Sequence, residues 1–494
     1  MKKYILTRLV KSIISILIVV SIVVIMVYKL VPISKVFEND DAYRKLKANQ
    51  KDVYSWNKLK QLGYLDYYNM AEMAQKYSEN PKEAVEIGSE ENKRLLSEME
   101  KKGYTVKTLE KNDKLRGSVV AIKYYNSLEL IGGFFKRLIS VDNKNAIQDE
   151  NNPNMERKYY WGKTQNGLYA LQCEGCKYKN QLYFNGSFPF IHQNKFRLNF
   201  GESFPMHKGI MTLDVIGKGQ GSAKKFDQKF PTGYEGKEAD NQYTRQYKYK
   251  LTKAEEKKYG DNYADVEKKF DSPSMIGTSY LFGICSLILT YLFALPFGVA
   301  MARNKGKFID KLGIVYINLL IAVPSLAFIF FMKYLGNKIG LPDKFAQLGF
   351  GDIKSYILPI VILALLSTPS LMMWIRRYMV DQQNADYVKF AKAKGLTKRE
   401  ISKNHILKNA IIPIVNGIPG SIILAISGAV ITESIFAIPG MGKMLPDSIK
   451  AANNNMVITL TFIFTTLSVF SVFLGDLLMT KVDPRISLNV KEGE

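Results

Sequence analysis

At 494 residues the chain has room for more than one domain, and 47% hydrophobic residues with a mean hydropathy of −0.09 mean that a polar block and an apolar block average out. A net charge of +24 invites a nucleic-acid reading. The charge map argues against it: residues 35–271 carry 42 Lys and Arg against 33 Asp and Glu, whereas the rest carry 27 against 12. The excess therefore lies among apolar segments, as expected where positive loops orient a membrane protein, and no nucleic-acid-reading motif is present.

The first apolar run, Ser12–Tyr28, follows Lys2, Lys3, Arg8 and Lys11. It is longer than a typical signal core and no small-residue cleavage site follows before Lys29, so a retained membrane anchor is expected and a secretory signal is the alternative. A polar block rich in Lys, Asn, Tyr and Glu follows, from about Ile33 to Pro273. Its first part, Tyr43–Lys102, has helix-like spacing, while Gly117–Tyr125 and Gln181–Phe190 read as strands. Gly217–Gly221 lacks the frame of a phosphate loop and reads as a turn. Cys173 and Cys176 form a C-x-x-C pair. A local disulfide or two unpaired thiols is the leading expectation. Zinc would need His192 and His207 at unfamiliar spacing, and a redox motif would need a βαβ context.

Five more runs are free of Asp, Glu, Lys and Arg: Met275–Ala302, Leu312–Met332, Ser355–Ile375, Ala410–Thr432 and Met456–Gly475. Each is long enough to cross a bilayer core. Cys285, inside one of them, reads as a small packing residue. Basic residues crowd the N-terminus, recur at Arg303, Lys305, Lys307 and Lys311, and peak between Arg376 and Lys408. The loops Gly336–Lys354 and Glu433–Asn455 are poorer in them. This alternation puts both termini and the 376–408 loop in the cytoplasm and the 33–273 block outside. Pro324, Pro359, Pro369, Pro413 and Pro419 are candidate kinks. Asp476 and Glu433 fall at predicted span ends, where interfacial or loop roles are expected.

The richest basic loop has a pattern of its own. Asp386, Tyr387, Phe390, Ala391, Ala393, Lys394, Gly395 and Leu396 read as a brief helix that Gly395 ends. The small alanines would let a partner pack closely, and Phe390 would offer an apolar anchor. Lys398–Lys408 reads as a second helix leading through His405 and Asn409 to Pro413. A plain positive-inside loop would explain the lysines but not the Ala/Gly spacing.

This segment resembles the cytoplasmic "EAA loop" of ABC importer permeases, in the longer form of the oligopeptide/dipeptide/nickel branch. Lys389 and Phe390 stand where the general pattern has Glu and Ala. Leu198–Phe204 resembles an outer-loop patch of such permeases, with Asn199 in place of Asp. Glu433, Phe436, Pro439, Gly440 and Gly442 match their outward E-x-x-F-x-x-P-G-x-G turn, and Asp483–Ile486 resembles their ending. B-type oligopeptide permeases of streptococci and their relatives, with an enlarged outer domain, are the nearest likeness. The resemblance implies a mostly α membrane protein with six transmembrane helices of the type I ABC importer kind. An α+β extracellular domain would lie between helices 1 and 2. The implied layout is 1–32 for the N-terminus and helix 1, 33–273 for the outer domain, 274–482 for helices 2–6 and 483–494 for a cytoplasmic tail. Such a chain is not an enzyme and holds no cofactor or metal. ATP and Mg would bind two partner ATPase subunits, docked on 386–396 and coupled to helix 5 through His405, Asn409 and Pro413. A second homologous permease chain and a lipid-anchored peptide-binding protein complete the implied assembly, in a cell membrane and without nucleic acid. The rivals are a mechanotransmitting ABC-type envelope protein, which would lack the Ala391–Pro413 pattern, and a polytopic membrane enzyme, for which no H-E-x-x-H or G-x-S-x-G appears.

Overall fold

The computed structural model describes residues 2–109, 119–147, 149, 155–163, 169–184, 191–217, 219–221, 230–231, 238–239, 246–259, 261–264, 272–425 and 430–482. The chain divides into two units, Tyr28–Pro273 and the remainder, Met1–Val27 with Ser274–Glu494. Helix α1, Lys2–Ile25, belongs to the second of these.

The Tyr28–Pro273 unit mixes helices and sheets. Its first layer holds α2 (Ile33–Glu38), α3 (Ala48–Leu62), α4 (Met70–Tyr77) and α5 (Glu90–Lys101). Strand β1 (Leu65–Asn69) interrupts the stretch that reads as helical throughout, with Leu65 and Tyr67 turned inward at a two-residue period. It pairs antiparallel with β3 (Val119–Tyr124), which also pairs with β2 (Thr105–Thr108). Met70, Met73, Leu95, Met99, Val119 and Ala121 form the core between this sheet and its helices. Ser89 caps α5 by accepting from the Asn92 N–H, and Asn126 with Glu129 forms a capping box on α6 (Ser127–Leu138). Strand β4 (Ile139–Val141) follows.

A second, antiparallel sheet runs in the order β5 (Lys158–Lys163), β6 (Tyr169–Glu174), β7 (Asn180–Phe184) and β8 (Ile191–Gln193). Cys173 and Cys176 are bonded to each other and fully buried at the β6–β7 turn. The Tyr263 hydroxyl donates to their carbonyls and accepts from the Gly175 N–H, tying a distant segment to the turn. Among the described residues no cluster of metal-binding side chains occurs. Strand β9 (Phe196–Leu198) pairs with β4 and leads into the 198–204 patch. There the Asn199 side chain accepts from the Gly201 N–H, Gly201 takes a φ of 92°, and Phe200 and Phe204 are buried. Phe204 meets Phe37 edge-on at 5.7 Å, and Lys58 pairs with Glu202 at 3.1 Å. The patch is therefore bound into the first layer of the unit.

The other unit is helical. Helices α1, α7 (Met275–Arg303), α10 (Lys354–Gln382) and α16 (Asn454–Val482) are long and apolar enough to cross a membrane. Arg8 on α1 pairs with Asp476 on α16, and the Asn454 side chain donates to the Val27 carbonyl, so α1 lies along α16. Two further candidates are bent helix pairs, which bring the number to six if each pair counts as one span. The run read as one span over Leu312–Met332 is α8 (Phe308–Ala322) and α9 (Ser325–Lys338), meeting at 106°. Val323, held extended ahead of Pro324, cannot continue the helix. The other pair is α12 (Lys398–Ala410) and α13 (Ile412–Leu424), bent by 50° with Pro413 in the first turn of α13. Pro359, Pro369 and Pro419 lie inside helices. Between α10 and α12 sits α11 (Asp386–Ala393), and between α13 and α16 sit α14 (Val430–Phe436) and α15 (Met441–Lys450). The 483–486 resemblance lies outside the described residues.

One buried ion pair fastens the first layer of the Tyr28–Pro273 unit to the turn after its patch. The Asp40 carboxylate, with no exposed surface, accepts from Lys208, from the Tyr54 hydroxyl at 2.7 Å and from the Ala42 N–H at 3.0 Å. Burial would raise its pKa, but the hydrogen bonds from Lys208, Tyr54 and Ala42 together hold it below the usual 3.8. The same arrangement, burial first and then the bond to Asp40, pushes Tyr54 up to about 12. With the folded pKa depressed, the stabilisation is present above pH 3.8 and fades as pH falls below it. Asp40→Asn is expected to cost about 2 kcal/mol at pH 7. Thermal unfolding of the purified chain should show the gap between variant and wild type narrowing as the pH is lowered below 3.8; a gap independent of pH rules out the charged contact.

Candidate functional site

The residues singled out between 386 and 396 form a short amphipathic helix with two different faces. Asp386 occupies the first turn and pairs with Lys389 at 2.8 Å, which suits the helix dipole. At the other end Gly395, with φ 77°, lets the Lys394, Gly395 and Leu396 N–H groups return to the carbonyls of Phe390, Lys392 and Ala391. Val388 and Ala391 are buried beneath the helix, while Phe390 is 70% exposed. Ala393, Lys394 and Leu396 are also exposed, and the Tyr387 hydroxyl donates to Gln382 at 2.7 Å. Ala391 thus faces the chain's own core and is 4% exposed, which corrects the expectation that it offers a close approach to a partner. The large apolar side chains this segment exposes are Phe390 and, less fully, Leu396.

Beneath α11 lies a continuous cluster: Val388 and Ala391 meet Met301 of α7, Met372, Ile375 and Met379 of α10, and Ile401, Ile406 and Ala410 of α12. Two glycines permit this closeness. A Cβ at Gly298 would stand 2.9 Å from Ile375, and one at Gly313 would stand 2.4 Å from the Met301 sulfur. Polar contacts lock the rim. Arg376 grips Asp310 with both Nε and Nη2, the second at 2.8 Å, and the Gly306 N–H donates to the same carboxylate. Arg303 donates to the Ser402 hydroxyl at 2.8 Å, and Gln383 donates to the Ala302 carbonyl at 2.9 Å. Ser402 lies in a π-helical turn, Ile401–Ile406, within α12. The Thr397–Glu400 capping box starts that helix. His405 is half-buried, Asn409 donates to the His405 carbonyl at 3.2 Å and Pro413 is exposed; only their neighbours Ile406, Ala410 and Ile414 enter the cluster.

The second group, Glu433, Phe436, Pro439, Gly440 and Gly442, converges at the α14–α15 turn. Glu433 is 1% exposed, so the residue read as having an interfacial or loop role is shielded from its surroundings by the chain itself. Its carboxylate accepts from the Ser279 hydroxyl at 2.7 Å and, across the turn, from the Lys443 N–H at 3.0 Å. Ser279 in turn accepts from the Met441 N–H at 2.8 Å. A buried carboxylate therefore caps the N-terminus of α15 and ties it to α7. The glycines follow from that carboxylate. A Cβ at Gly440 would lie 2.3 Å from Glu433 Oε2, and one at Gly442 would lie 3.0 Å away. Phe436 is buried against Phe282, Ile329 and Ile438. Lys333 approaches the last carbonyls of α14 at Ile435, 3.4 Å away, and lies 5.6 Å from the Phe436 ring centre.

Lys333, Ser279 and Asp310 are contributions that the sequence reading missed, and Arg303 and Arg376 were read there as basic loop residues without their partners Ser402 and Asp310. Asp310 carries the one available signal, an acid within the basic run from Arg303 to Lys311 and next to an apolar segment. The structure does not bring the 386–396 group and the 433–442 group into one site.

A family model described as the binding-protein-dependent transport system inner membrane component matches residues 294–488. The oligopeptide transport system permease protein AmiC of Streptococcus pneumoniae is 41% identical over 100% of both chains. The dipeptide transport system permease protein DppB of Lactococcus lactis subsp. cremoris is 30% identical over 42% of this chain and 67% of its own. Among solved structures, the MetNI methionine ABC transporter is 16% identical and covers 42% of this chain and 94% of the matched chain at a TM-score of 0.34, too loose to carry any argument. The chain belongs to the family of binding-protein-dependent transport system inner membrane components. It is a multi-pass membrane permease of an ABC importer, similar over its whole length to AmiC.

Removing the buried carboxylate should be felt locally. Glu433→Ala leaves the Ser279 hydroxyl and the Lys443 N–H without their acceptor, at a cost of roughly 3 kcal/mol. Glu433→Gln keeps one acceptor and should lose less. Thermal unfolding of the purified chain in detergent should rank wild type above Gln above Ala; equal midpoints for Ala and wild type dispose of the capping role.

Proposed function

We propose that this chain is the permease subunit through which an ATP-driven importer moves oligopeptides into the cell. The single observation that carries the substrate class is the 41% identity, over the whole of both chains, to a relative named as an oligopeptide permease. The chain itself does no chemistry. A second homologous permease chain completes the pore, two ATPase subunits hold ATP and Mg, and a lipid-anchored peptide-binding protein delivers the cargo.

In this reading α11 is the element that an ATPase subunit grips. Phe390 enters the partner, Asp386, Lys394 and Leu396 surround it, and Val388 and Ala391 pass movement to α7, α10 and α12 through the cluster below. What supports this is the division of the helix into one buried and one exposed face, on a segment that opens a basic loop. ATP binding then matters only through its different contact with two arrangements of the permease. His405, Asn409 and Pro413 belong to the same lever, on α12 and at its 50° joint with α13. The 33–273 region is an α+β domain outside the cell, residues 1–32 and 483–494 carry cytoplasmic termini, and the 433–442 turn faces outward. The alternation of basic loops supports that orientation.

Three measurements test the reading. Cells lacking the chain should lose uptake of labelled oligopeptides but keep uptake of dipeptides and nickel; unchanged oligopeptide uptake sinks the substrate class. With native cysteines removed, an impermeant thiol reagent applied to intact cells should label Asn145→Cys and spare Lys398→Cys. The reverse pattern overturns the orientation. Phe390→Asp should leave the chain folded in the membrane yet abolish co-purification of the ATPases and lower uptake at least tenfold, as expected for loss of an apolar anchor worth about 2 kcal/mol. Ala391→Glu should instead lower the amount of folded chain, because it forces a charge into the seat. Full ATPase co-purification by the Phe390 variant removes α11 as the docking element.

A further inference from the structure

Close behind the first span lies a small cationic pocket that the transport reading leaves unused. Its volume is about 350 Å³. The Phe37 and Tyr43 rings, 4.9 Å apart, form its floor, and Ser34, Lys35, Arg44 and Lys51 line its walls. Arg44 is held in place: its Nε and Nη2 both donate to the Glu38 carbonyl, and Nη1 lies 3.7 Å from Asp41. The Lys51 ammonium sits 5.2 Å above the Tyr43 ring. Among the described residues no carboxylate is paired with Lys35 or Lys51. Glu38 also lines the pocket, leaving three cations and a hydroxyl against one acid side chain.

Position decides what such a pocket meets. The apolar span Ile5–Leu30 ends four residues before Ser34. Four residues of extended chain reach at most about 14 Å, and the polar layer flanking the bilayer core is roughly 5–7 Å deep. The pocket is thus tethered within reach of the headgroup layer, on whichever side of the membrane that span emerges. Leu30, 70% exposed, marks the tether as apolar up to its end. We propose that Ser34, Lys35, Arg44 and Lys51 bind the phosphodiester of an anionic phospholipid headgroup. Arg44, its Nε–Nη2 edge held by the Glu38 carbonyl, supplies a fixed charge, Lys35 and Lys51 supply mobile point charges, and the Ser34 hydroxyl donates a hydrogen bond. Glu38 faces the part of the headgroup beyond the phosphate, where the hydroxyls of a glycerol headgroup would donate to it. Lys45 and Lys47, exposed in the same segment but outside the pocket, serve as internal controls.

The test uses the wild-type full chain in nanodiscs of phosphatidylcholine alone, or with one third phosphatidylglycerol, probed by brief lysine acylation and mass spectrometry. Phosphatidylglycerol should slow modification of Lys35 and Lys51 at least fivefold while Lys45 and Lys47 change less than twofold. Inorganic phosphate at 10 mM, roughly the upper end of what a weak surface anion site needs, should give no such protection in phosphatidylcholine discs. Lys35→Glu combined with Lys51→Glu should abolish retention of phosphatidylglycerol measured on the intact chain by native mass spectrometry. Equal protection of all four lysines means a diffuse surface potential and overturns the site. Protection by inorganic phosphate alone assigns the pocket to a free anion and overturns the lipid. No protection in any disc overturns both.

Discussion

The contact on which the membrane unit depends is the burial of Val388 and Ala391 in the cluster that Met301, Met372, Ile375 and Met379 share with Ile401, Ile406 and Ala410. An eight-residue helix is too short to be stable alone in water. It exists because one face is buried in a core built by two membrane-length helices and the helix after it. The same burial fixes what it presents outward. Once Val388 and Ala391 point in, the helical period leaves Phe390 pointing out, where no internal contact accounts for a 70% exposed aromatic. Three methionines in the seat matter because unbranched side chains adjust to small displacements without opening cavities. The rim is stiffer, since a bidentate Arg376–Asp310 pair has one good geometry. A seat soft at its centre and fixed at its edge suits an element that must rock without detaching.

Around the α14–α15 turn the polar groups sit where helix ends would otherwise be orphaned. Glu433 and Ser279 satisfy the first N–H groups of α15, and Lys333 approaches the last carbonyls of α14. The anion is at an N-terminus and the cation at a C-terminus, as the helix dipoles favour. The turn between those helices is therefore held from both sides by charge. This explains its composition from within. Gly440 and Gly442 are needed because the carboxylate occupies the space a side chain would take. Gly440 also places the chain in an extended conformation as the N-cap, and Phe436 closes the apolar side.

Much of this was legible beforehand, for reasons that separate by mechanism. Apolar runs declare membrane spans because length and the absence of charge are one-dimensional properties. Helix α11 was legible because its signals are local: an acid at the start, alanines inside and Gly395 at the end. What escaped depends on side chains distant in sequence. Ala391 looks available to a partner until the fold places it in the cluster with Ile401 and Ile406, where it is 4% exposed. Lys333 reads as the place where an apolar run stops, yet α9 continues to Lys338 and turns that amine toward Ile435. Strand β1 was hidden among lysine-rich helices because five residues give too short a period to stand out from a helical stretch.

The bend at Pro324 shows how these levels interact. The 21-residue apolar run Leu312–Met332 satisfies the length rule for one span, but the residue before a proline is driven out of the helical region. In water the freed backbone groups would be solvated; in a lipid core they must find partners within the protein. Pro324 nonetheless starts α9, because its carbonyl still accepts from the Phe328 N–H and its own missing N–H falls where a helix start has none to satisfy. The 106° turn then directs α9 so that Ile329 packs beside Phe436 and Ile438, and Lys333 comes to the end of α14. A straight helix over the same residues would carry Lys333 along the continuing axis of α8, away from the carbonyls it reaches. The break is thus a requirement of the 433–442 turn, set by one proline more than a hundred residues earlier in the chain.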